Sequence, residues 1–325
     1  DSAFSMHAVV ERHYTRGGNY PVGGSAAIAK KMIPGIERAG GLVLVNAEVA
    51  QILIRGSQAI GVRLGDGHEL ASDYVISDAG LLNTFGRLVA RSDLDRLGLG
   101  QIAAGLKPST AYINLNLGFG ESDQSLGNTT GNLWWYPSYD HDANYERFAA
   151  DLEQEPPSMF VSFQSAKDPI WEHHHPGTST VQGLVPCPYA PFARWEDTVP
   201  GKRGPEYDEF KAHLTERMLE RLYRIVPRLR GKAAHVEFST PLSTRHYMTH
   251  LRGEMLGVEH TPERFACPAL RPYTPIKGLL LTGADALVAG VCGAMGGGVL
   301  SALTVLGLLR GRRIVRHVLP WKFPD

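Results

Sequence analysis

The sequence predicts a two-domain α/β (α+β) protein, and three observations carry that prediction. Near the N-terminus a helical run of apolar residues passes through a Gly-Gly stop into the β-branched run LVLV. After it, the turn signals RGS and GDG punctuate short β-prone stretches, the pattern of an antiparallel meander. Near the C-terminus the strand-like stretch IKGLLLT runs through a Gly-Ala-Asp turn into a glycine-rich helix. Helix beside strand at both ends implies an α/β layer on which the meander is mounted.

The elements follow in chain order. The opening DSAFSMHAVVERHY has no basic start followed by a long apolar run, so it is no signal peptide. It reads as a helix with Phe4, Ala8, Val9 and Tyr14 on one face, and as the interior of a longer protein. A second helix runs from a Ser25 cap to Arg38, with Ala27, Ile28, Ile33 and Ile36 on its apolar face and Pro34 as a local defect. Gly40-Gly41 stops it. The strand LVLV and the three-stranded meander follow. Residues 81–270 change character: strands STAYINLNLGF and SMFVSFQSA alternate with loops and aromatics. The stretch EYDEFKAHLTERMLERLYRIV repeats Phe210, Leu214, Met218, Leu222 and Ile225 at helical spacing.

Composition bounds the function. The 325 residues fit one large or two ordinary domains, and 20% charged with 43% apolar is a globular balance. Lys+Arg and Asp+Glu both number 33, so the formal charge is +0 and no nucleic-acid partner is expected. Cys187, Cys267 and Cys292 lie far apart, against a disulfide framework, a redox pair or a cysteine zinc site.

The sharpest question is posed by the run Ala286 to Leu309, which holds no charge and six glycines. It is long enough to span a bilayer, its glycines suit close helix packing, and RGRR follows it like a positive flank. Against a span, its glycines bunch between Gly290 and Gly298, directly behind a strand. A strand, Gly283, a short acid at Asp285 and a glycine-rich helix start form a pattern suited to a nucleotide-like ligand. A carboxylate accepts from a sugar hydroxyl, and glycines admit the ligand to backbone. The cofactor reading is favoured, with a membrane span and a plain buried helix as alternatives.

Other candidates carry blander readings. His173, His174 and His175 precede a Pro-Gly turn and read as a solvated loop. His246 and His250 share a helix face but lack a carboxylate partner, so no metal is expected. Trp134, Trp135, Tyr136, Phe160, Phe163, Phe192, Trp195 and Met255 read as core by default, with a few lining an apolar tunnel. The tail RGRRIVRH reads as a solvated helix end or a rest on anionic lipid.

Six stretches bear a resemblance in the same order: HYTRGGNYPVGGSAAIA, AGGLVLVNAEV, VISDAG, QSAKDPIWE, LRGEMLGVEH and LTGADALVAGVCGAMGGG. They resemble the C-terminal two-thirds of the FAD-dependent phytoene desaturase and carotenoid isomerase superfamily, and within it the retinol saturase branch. The resemblance implies a glutathione-reductase/amine-oxidase type of fold. Residues 1–80 and 271–325 would belong to the FAD domain and residues 81–270 to the substrate domain. It implies FAD as cofactor and a long apolar polyene or isoprenoid as substrate. The implied reaction is saturation of a C=C bond, with desaturation or isomerisation of a carotenoid as runners-up. Asp285 would meet the ribityl chain after the Gly283 turn. Gly293, Ala294 and Met295 would face the flavin pyrimidine edge through backbone groups. Val49 would recognise adenine, and Gly23 and Gly24 would pass close to the isoalloxazine. His13, Tyr20, Tyr247 and Glu254 are the candidate acids, because they lie in matching segments.

The sequence departs from the family in three places. It has no strand–GxGxxG–helix unit to hold the FAD pyrophosphate, so that segment is expected to be cut away or on another polypeptide. It has Ala284 where animal saturases tend to carry Gln, and Val22 where they tend to carry a basic residue. A non-catalytic remnant is therefore a further alternative, beside a membrane protein with one span at 286–309. A cytoplasmic or membrane-peripheral location is expected.

Overall fold

The computed structural model of the chain describes residues 2–15 and 17–318. The side chains of His13, 308–310 and 312–318 lie outside that description. The chain divides into two compact units: Asp1–Thr15, Leu44–Ser109 and Leu256–Asp325 in one, Arg16–Val43 and Thr110–Met255 in the other. These divisions differ from boundaries at 80 and 270. Residues 16–43 fall in the second unit, because Gly23 hydrogen-bonds to Asp168 within it. Residues 81–109 fall in the first, where Leu81 donates to Asp285.

The first unit contains the meander. Strands β1 (Val49–Arg55), β2 (Gln58–Leu64) and β3 (Glu69–Ala71) pair antiparallel in that order. The turns are at RGS and GDG, where Gly56 has φ +60° and Gly67 φ +92°. Strand β4 (Val75–Ser77) pairs in parallel with the last strand of the chain, Leu279–Leu281. Ile52, Leu81, Phe85, Leu94, Ile276 and Leu279 are among the residues of the core beneath them.

The expected strand at LVLV does not form: residues 41–48 have no regular structure, and Leu42 and Val45 are 82% and 80% exposed. A strand needs a neighbour for its backbone groups, and none of the described strands pairs with it. The helix Ala26–Arg38 forms as expected, but Ser25 itself is helical and makes no side-chain cap bond. Its apolar face is only half-buried at Ala27, Ile28 and Ile33, with Ile36 exposed.

The second unit is built on a five-stranded antiparallel sheet. Its strands are β5 (Ala111–Phe119), β6 (Leu133–Trp135), β7 (Met159–Ser162), β8 (Ser179–Cys187) and β9 (Ala233–Ser239), in the order β6-β7-β8-β5-β9. The last strand, Leu279–Leu281, is β10. Strands β5 and β8 alternate strictly between buried and half-buried residues, so the sheet has one core face. On that face lies the helix Pro205–Ile225, which buries Leu214, Met218 and Leu222 as its spacing predicted, while Phe210 and Ile225 are half-buried. Gly183 permits the close approach: a Cβ there would lie 3.2 Å from Leu222. Each of these buried side chains stabilises the unit by about 1.5–3 kcal/mol.

Candidate functional site

In the first unit, the strand-to-helix connection after β10 is where the sequence pointed. Gly283 turns the chain at φ +78°, a single helical turn spans Ala284–Ala286, and the helix Val291–Val318 follows. That helix breaks at Gly307, where φ is +70°. Among the described residues no helix is long and apolar enough to cross a membrane.

The glycines of the helix start serve close packing. A Cβ on Gly293 would lie 1.9 Å from the Val288 carbonyl oxygen, and one on Gly297 would lie 2.6 Å from the Gly283 carbonyl oxygen. Ser301, one turn on, donates to the carbonyls of Leu281 (2.7 Å) and Gly297 (3.0 Å). Gly293, Gly297 and Ser301 thus form the stripe by which the helix lies on the loop and β10, backbone against backbone. Its other side is open: Val291 and Met295 are exposed, Ala294 is half-buried, and the first turn holds no acid.

Asp285 has a role in the scaffold that the sequence did not indicate. It is only 5% exposed, and its carboxylate is occupied by scaffold. Oδ2 accepts from the Leu81 N–H (2.8 Å) and Oδ1 from the Val258 N–H (3.0 Å). Gly257 makes room for it: a Cβ there would lie 2.0 Å from Oδ1. Two further contacts hold the same loop. Arg264 donates to the Asp285 carbonyl, and His260 Nε2 accepts from the Ala289 N–H at 2.9 Å. Burial, reinforced by the Arg264 charge, pushes the His260 imidazole down to about 4. It is therefore neutral near pH 7, as an acceptor nitrogen requires. Asp78 lies over Gly283, where a Cβ would be 1.8 Å from its Oδ1. Burial first, then Asp285, raises its carboxyl above the usual range. Val49 opens β1 opposite Leu64 and is half-buried.

The second unit brings two of the quoted motifs together. Gly23 and Gly24 turn at φ +85° and +75°. The Gly23 N–H donates to both oxygens of Asp168 (3.0 and 3.1 Å), and Oδ1 also accepts from the Ile170 N–H. Tyr20 is half-buried beside Gly24, and burial followed by the Asp168 charge raises its hydroxyl above the usual range.

The other candidate acids fare differently. Tyr247 is 80% exposed. Glu254 is 2% exposed and accepts from the Arg252 N–H at 2.8 Å, while its carbonyl accepts from His250 Nδ1. Glu254 thus shapes its own loop, and His250 is committed to it. The side chain of His13 lies outside the described residues. No cluster of metal-ligating side chains occurs among the described residues. Of the aromatics, Phe163, Phe192 and Trp195 are core, whereas Trp134 is exposed and lies 4.6 Å from the Phe160 ring.

Sequence reasoning missed Asp78, Lys167, Asp168, Gly257, His260 and Arg264 as individual residues. Four of them sit inside stretches already quoted, QSAKDPIWE and LRGEMLGVEH, and Asp78 inside VISDAG. What the sequence could not show is the distant group each one meets: a backbone group for Asp168, His260 and Arg264, two side-chain oxygens for Lys167, the Asp285 carboxylate for Gly257 and the Gly283 turn for Asp78.

No family model matches the chain. The human all-trans-retinol 13,14-reductase is 35% identical over 316 residues, which is 94% of this chain and 52% of that protein. A zebrafish relative (Danio rerio) named as an inactive all-trans-retinol 13,14-reductase is 30% identical over the same 94% and 52%. A lycopene-forming phytoene desaturase of a Paracoccus species is 27% identical over 94% of this chain and 58% of its own length. The chain thus spans about half the length of the curated relatives it matches. Among solved structures, an oxidoreductase from Methanosarcina mazei aligns with TM-score 0.56 at 20% identity over 87% of this chain and 55% of that one. A putrescine oxidase aligns with TM-score 0.55 at 14% identity over 88% and 53%. Likeness at that identity establishes the fold, a mixed α/β architecture of amine-oxidase type. Order of motifs, identity along nearly the whole chain and fold agree, and the chain belongs to the FAD-dependent phytoene desaturase and carotenoid isomerase superfamily, in which several of its relatives at 30% identity or more over 94% of the chain are named all-trans-retinol 13,14-reductase.

Proposed function

We propose that this chain is part of a flavin-dependent oxidoreductase that saturates one C=C bond of a long apolar polyene. The observation that supports the reading best is the 35% identity to the human all-trans-retinol 13,14-reductase across 94% of the chain. FAD is the proposed cofactor. When bound, it would supply the hydride that a polyene reduction needs.

The residues present suit such a cofactor at backbone level. The helix start carries a partial positive charge and no competing acid, on a side left open at Val291 and Met295. Gly293 lies on the packed stripe and the Ala294 N–H already donates to the Gly290 carbonyl, so of the three expected positions Met295 is the one on the open side. Gly283 leaves no bulk at the turn beneath it. Each Asp285 oxygen already accepts one backbone N–H, from Leu81 and Val258, in a buried setting. Its proposed role is to hold the turn, together with His260 and Arg264. Val49, Gly23 and Gly24 remain proposed contacts through backbone. The strand–GxGxxG–helix segment that would hold the pyrophosphate is proposed to lie outside these 325 residues.

A polyene bond has no carbonyl to draw in a hydride. The chain's own task is therefore to deliver a proton and exclude water, so that positive charge can spread along the polyene. Tyr20 is the proposed acid. A tyrosine hydroxyl keeps its proton at neutral pH, and burial followed by the Asp168 charge disfavours the phenolate further. Contact with membrane, from which an apolar substrate would arrive, is proposed for the basic stretch 310–317.

Desaturation is a second reading, favoured by the phytoene desaturase relative. One experiment separates the two. The chain, joined to a dinucleotide-binding segment and chemically reduced, is mixed without oxygen with retinol and related polyenes. Flavin reoxidation with a shift of polyene absorbance to shorter wavelength supports saturation. A shift to longer wavelength on adding a carotenoid precursor to oxidised protein would assign it to the desaturases. No change in either arm would match the inactive relative.

A further inference from the structure

The five-stranded sheet of the second unit has a second face, opposite its core, and strand register organises that face into two rows. One row pairs Trp134 with Phe160, Phe160 with Leu184, and Leu184 with Asn114. Its β6, β7 and β8 members are all apolar. The next row pairs Ser162 with Gln182, Gln182 with Asn116, and Asn116 with Glu237. Every member of that row is polar. With strands about 4.8 Å apart, it runs roughly 14 Å from Ser162 to Glu237.

The polar row is a connected chain of amides. Gln164 Nε2 donates to Gln182 Oε1 (2.6 Å), Gln182 Nε2 to Asn116 Oδ1 (3.3 Å), and Asn114 Nδ2 to the same Asn116 oxygen (3.2 Å). The amide orientations follow from this network. The Asn116 Nδ2 group has no acceptor among the described residues.

A cation stands at the Ser162 end. Lys167 Nζ donates to Ser162 Oγ and to Asn132 Oδ1, both at 2.6 Å. Both acceptors are neutral, and no carboxylate pairs with Lys167 among the described residues. Its neighbour Asp168 is engaged by the N–H groups of Gly23 and Ile170. The third ammonium N–H therefore has no acceptor among the described residues. The side chain is half-buried, and desolvation lowers its basicity. A partly desolvated ammonium fixed by two neutral oxygens, with one donor left over, is complementary to an oxygen-bearing ligand group. Glu237 at the far end of the row disfavours a negative group there, so the row has a direction.

We propose that this face binds an elongated apolar molecule by its oxygen-bearing end, a carboxylate or a hydroxyl, which Lys167 holds while the chain lies along Trp134, Phe160 and Leu184. The apolar class rests on the polyene reading above. The assignment of the polar end rests on Lys167 and its two acceptors.

Three probes that share a polyene body test it: all-trans-retinoic acid, all-trans-retinol and axerophthene, the hydrocarbon lacking the hydroxyl. Binding to the 325-residue chain is read by energy transfer from tryptophan to the polyene, which requires no flavin. The expected order is acid, then alcohol, then hydrocarbon, with the acid about tenfold or more tighter than the hydrocarbon. Lys167→Met should remove that advantage and leave hydrocarbon affinity unchanged, whereas Lys167→Arg should keep it. Equal affinity for the three probes in the unaltered chain overturns the Lys167 assignment but leaves the polyene reading standing. So does an undiminished acid preference in Lys167→Met with its circular dichroism intact. Failure of all three probes to bind overturns both.

Discussion

Two pairs of glycines in this chain do opposite work. At Gly23 and Gly24 the backbone has positive φ, yet a Cβ would meet only ordinary contacts, at 3.7 Å from Ile170 and 3.8 Å from Tyr20. At Gly293 and Gly297 the backbone is helical, yet a Cβ would collide with carbonyl oxygens at 1.9 and 2.6 Å. The first pair is glycine for conformation, the second for proximity. A glycine-rich stretch read from sequence does not say which. The difference separates an open loop, past which a ligand can approach, from a helix start already filled by its own chain.

The largest test of this contrast is Asp285. If its carboxylate is scaffold, Asp285→Ala leaves two buried N–H groups, of Leu81 and Val258, without acceptors. At about 2 kcal/mol each, the chain should lose about 4 kcal/mol of stability in denaturant unfolding. A loss below about 1 kcal/mol, with flavin affinity of the extended protein weakened, would return Asp285 to the cofactor.

His260 supplies a test by pH. Its imidazole sits at about 4 in the folded chain, below the ordinary value of about 6.5. The unfolded chain therefore binds the extra proton first as pH falls. Stability that is full above about pH 6.5 should decline to about pH 4, by about 3 kcal/mol in all, and level off below. Arg264 and Asp285 are the charged groups facing it, and they act in opposite directions. Asp78, whose carboxyl is raised, acquires its proton easily and works against the decline at the acid end. Unfolding curves between pH 4 and 7 for the chain and for His260→Gln measure it, and the variant should be flatter.

Gly297 gives the third test, and its sign is the point. Helix propensity alone predicts that Gly297→Ala gains about 1 kcal/mol. The close approach to Gly283 predicts a net loss of about 2 kcal/mol, as for an overfilled core. A thermal midpoint that rises in the variant would show the helix start to be looser than a 2.6 Å approach allows.

These cases also show how far the sequence was legible. Local pattern sufficed for the meander, for the helix Pro205–Ile225 with its face of Leu214, Met218 and Leu222, and for the turn from β10 into a helix. Each is written within about twenty residues. Asp285 was legible as important, but its partner Leu81 lies 204 positions away and contributes only a backbone N–H, which carries no residue signature. The strand at LVLV failed for a related reason, since β propensity cannot show whether a neighbour exists to complete the ladder. Lys167 was quoted in a motif without a role, because its meaning depends on Asn132 and Ser162, which only the sheet brings to it.

The smallest expected effect lies at Gly23. Its φ of +85° costs a residue with a Cβ about 1 kcal/mol, and the space around it adds nothing to that cost. The N–H that donates to Asp168 survives in Gly23→Ala, so the clasp between the two motifs stays closed. Gly23→Ala should therefore lower stability by about 1 kcal/mol, with the hydrogen exchange of residues 20–24 nearly as slow as before. Asp168→Asn should weaken the same two bonds without touching φ, and should speed that exchange more than it lowers global stability. If Gly23→Ala instead destabilises as much as Gly297→Ala, the space beside Gly23 is already filled. The contrast between an open glycine pair and a closed one would then be lost.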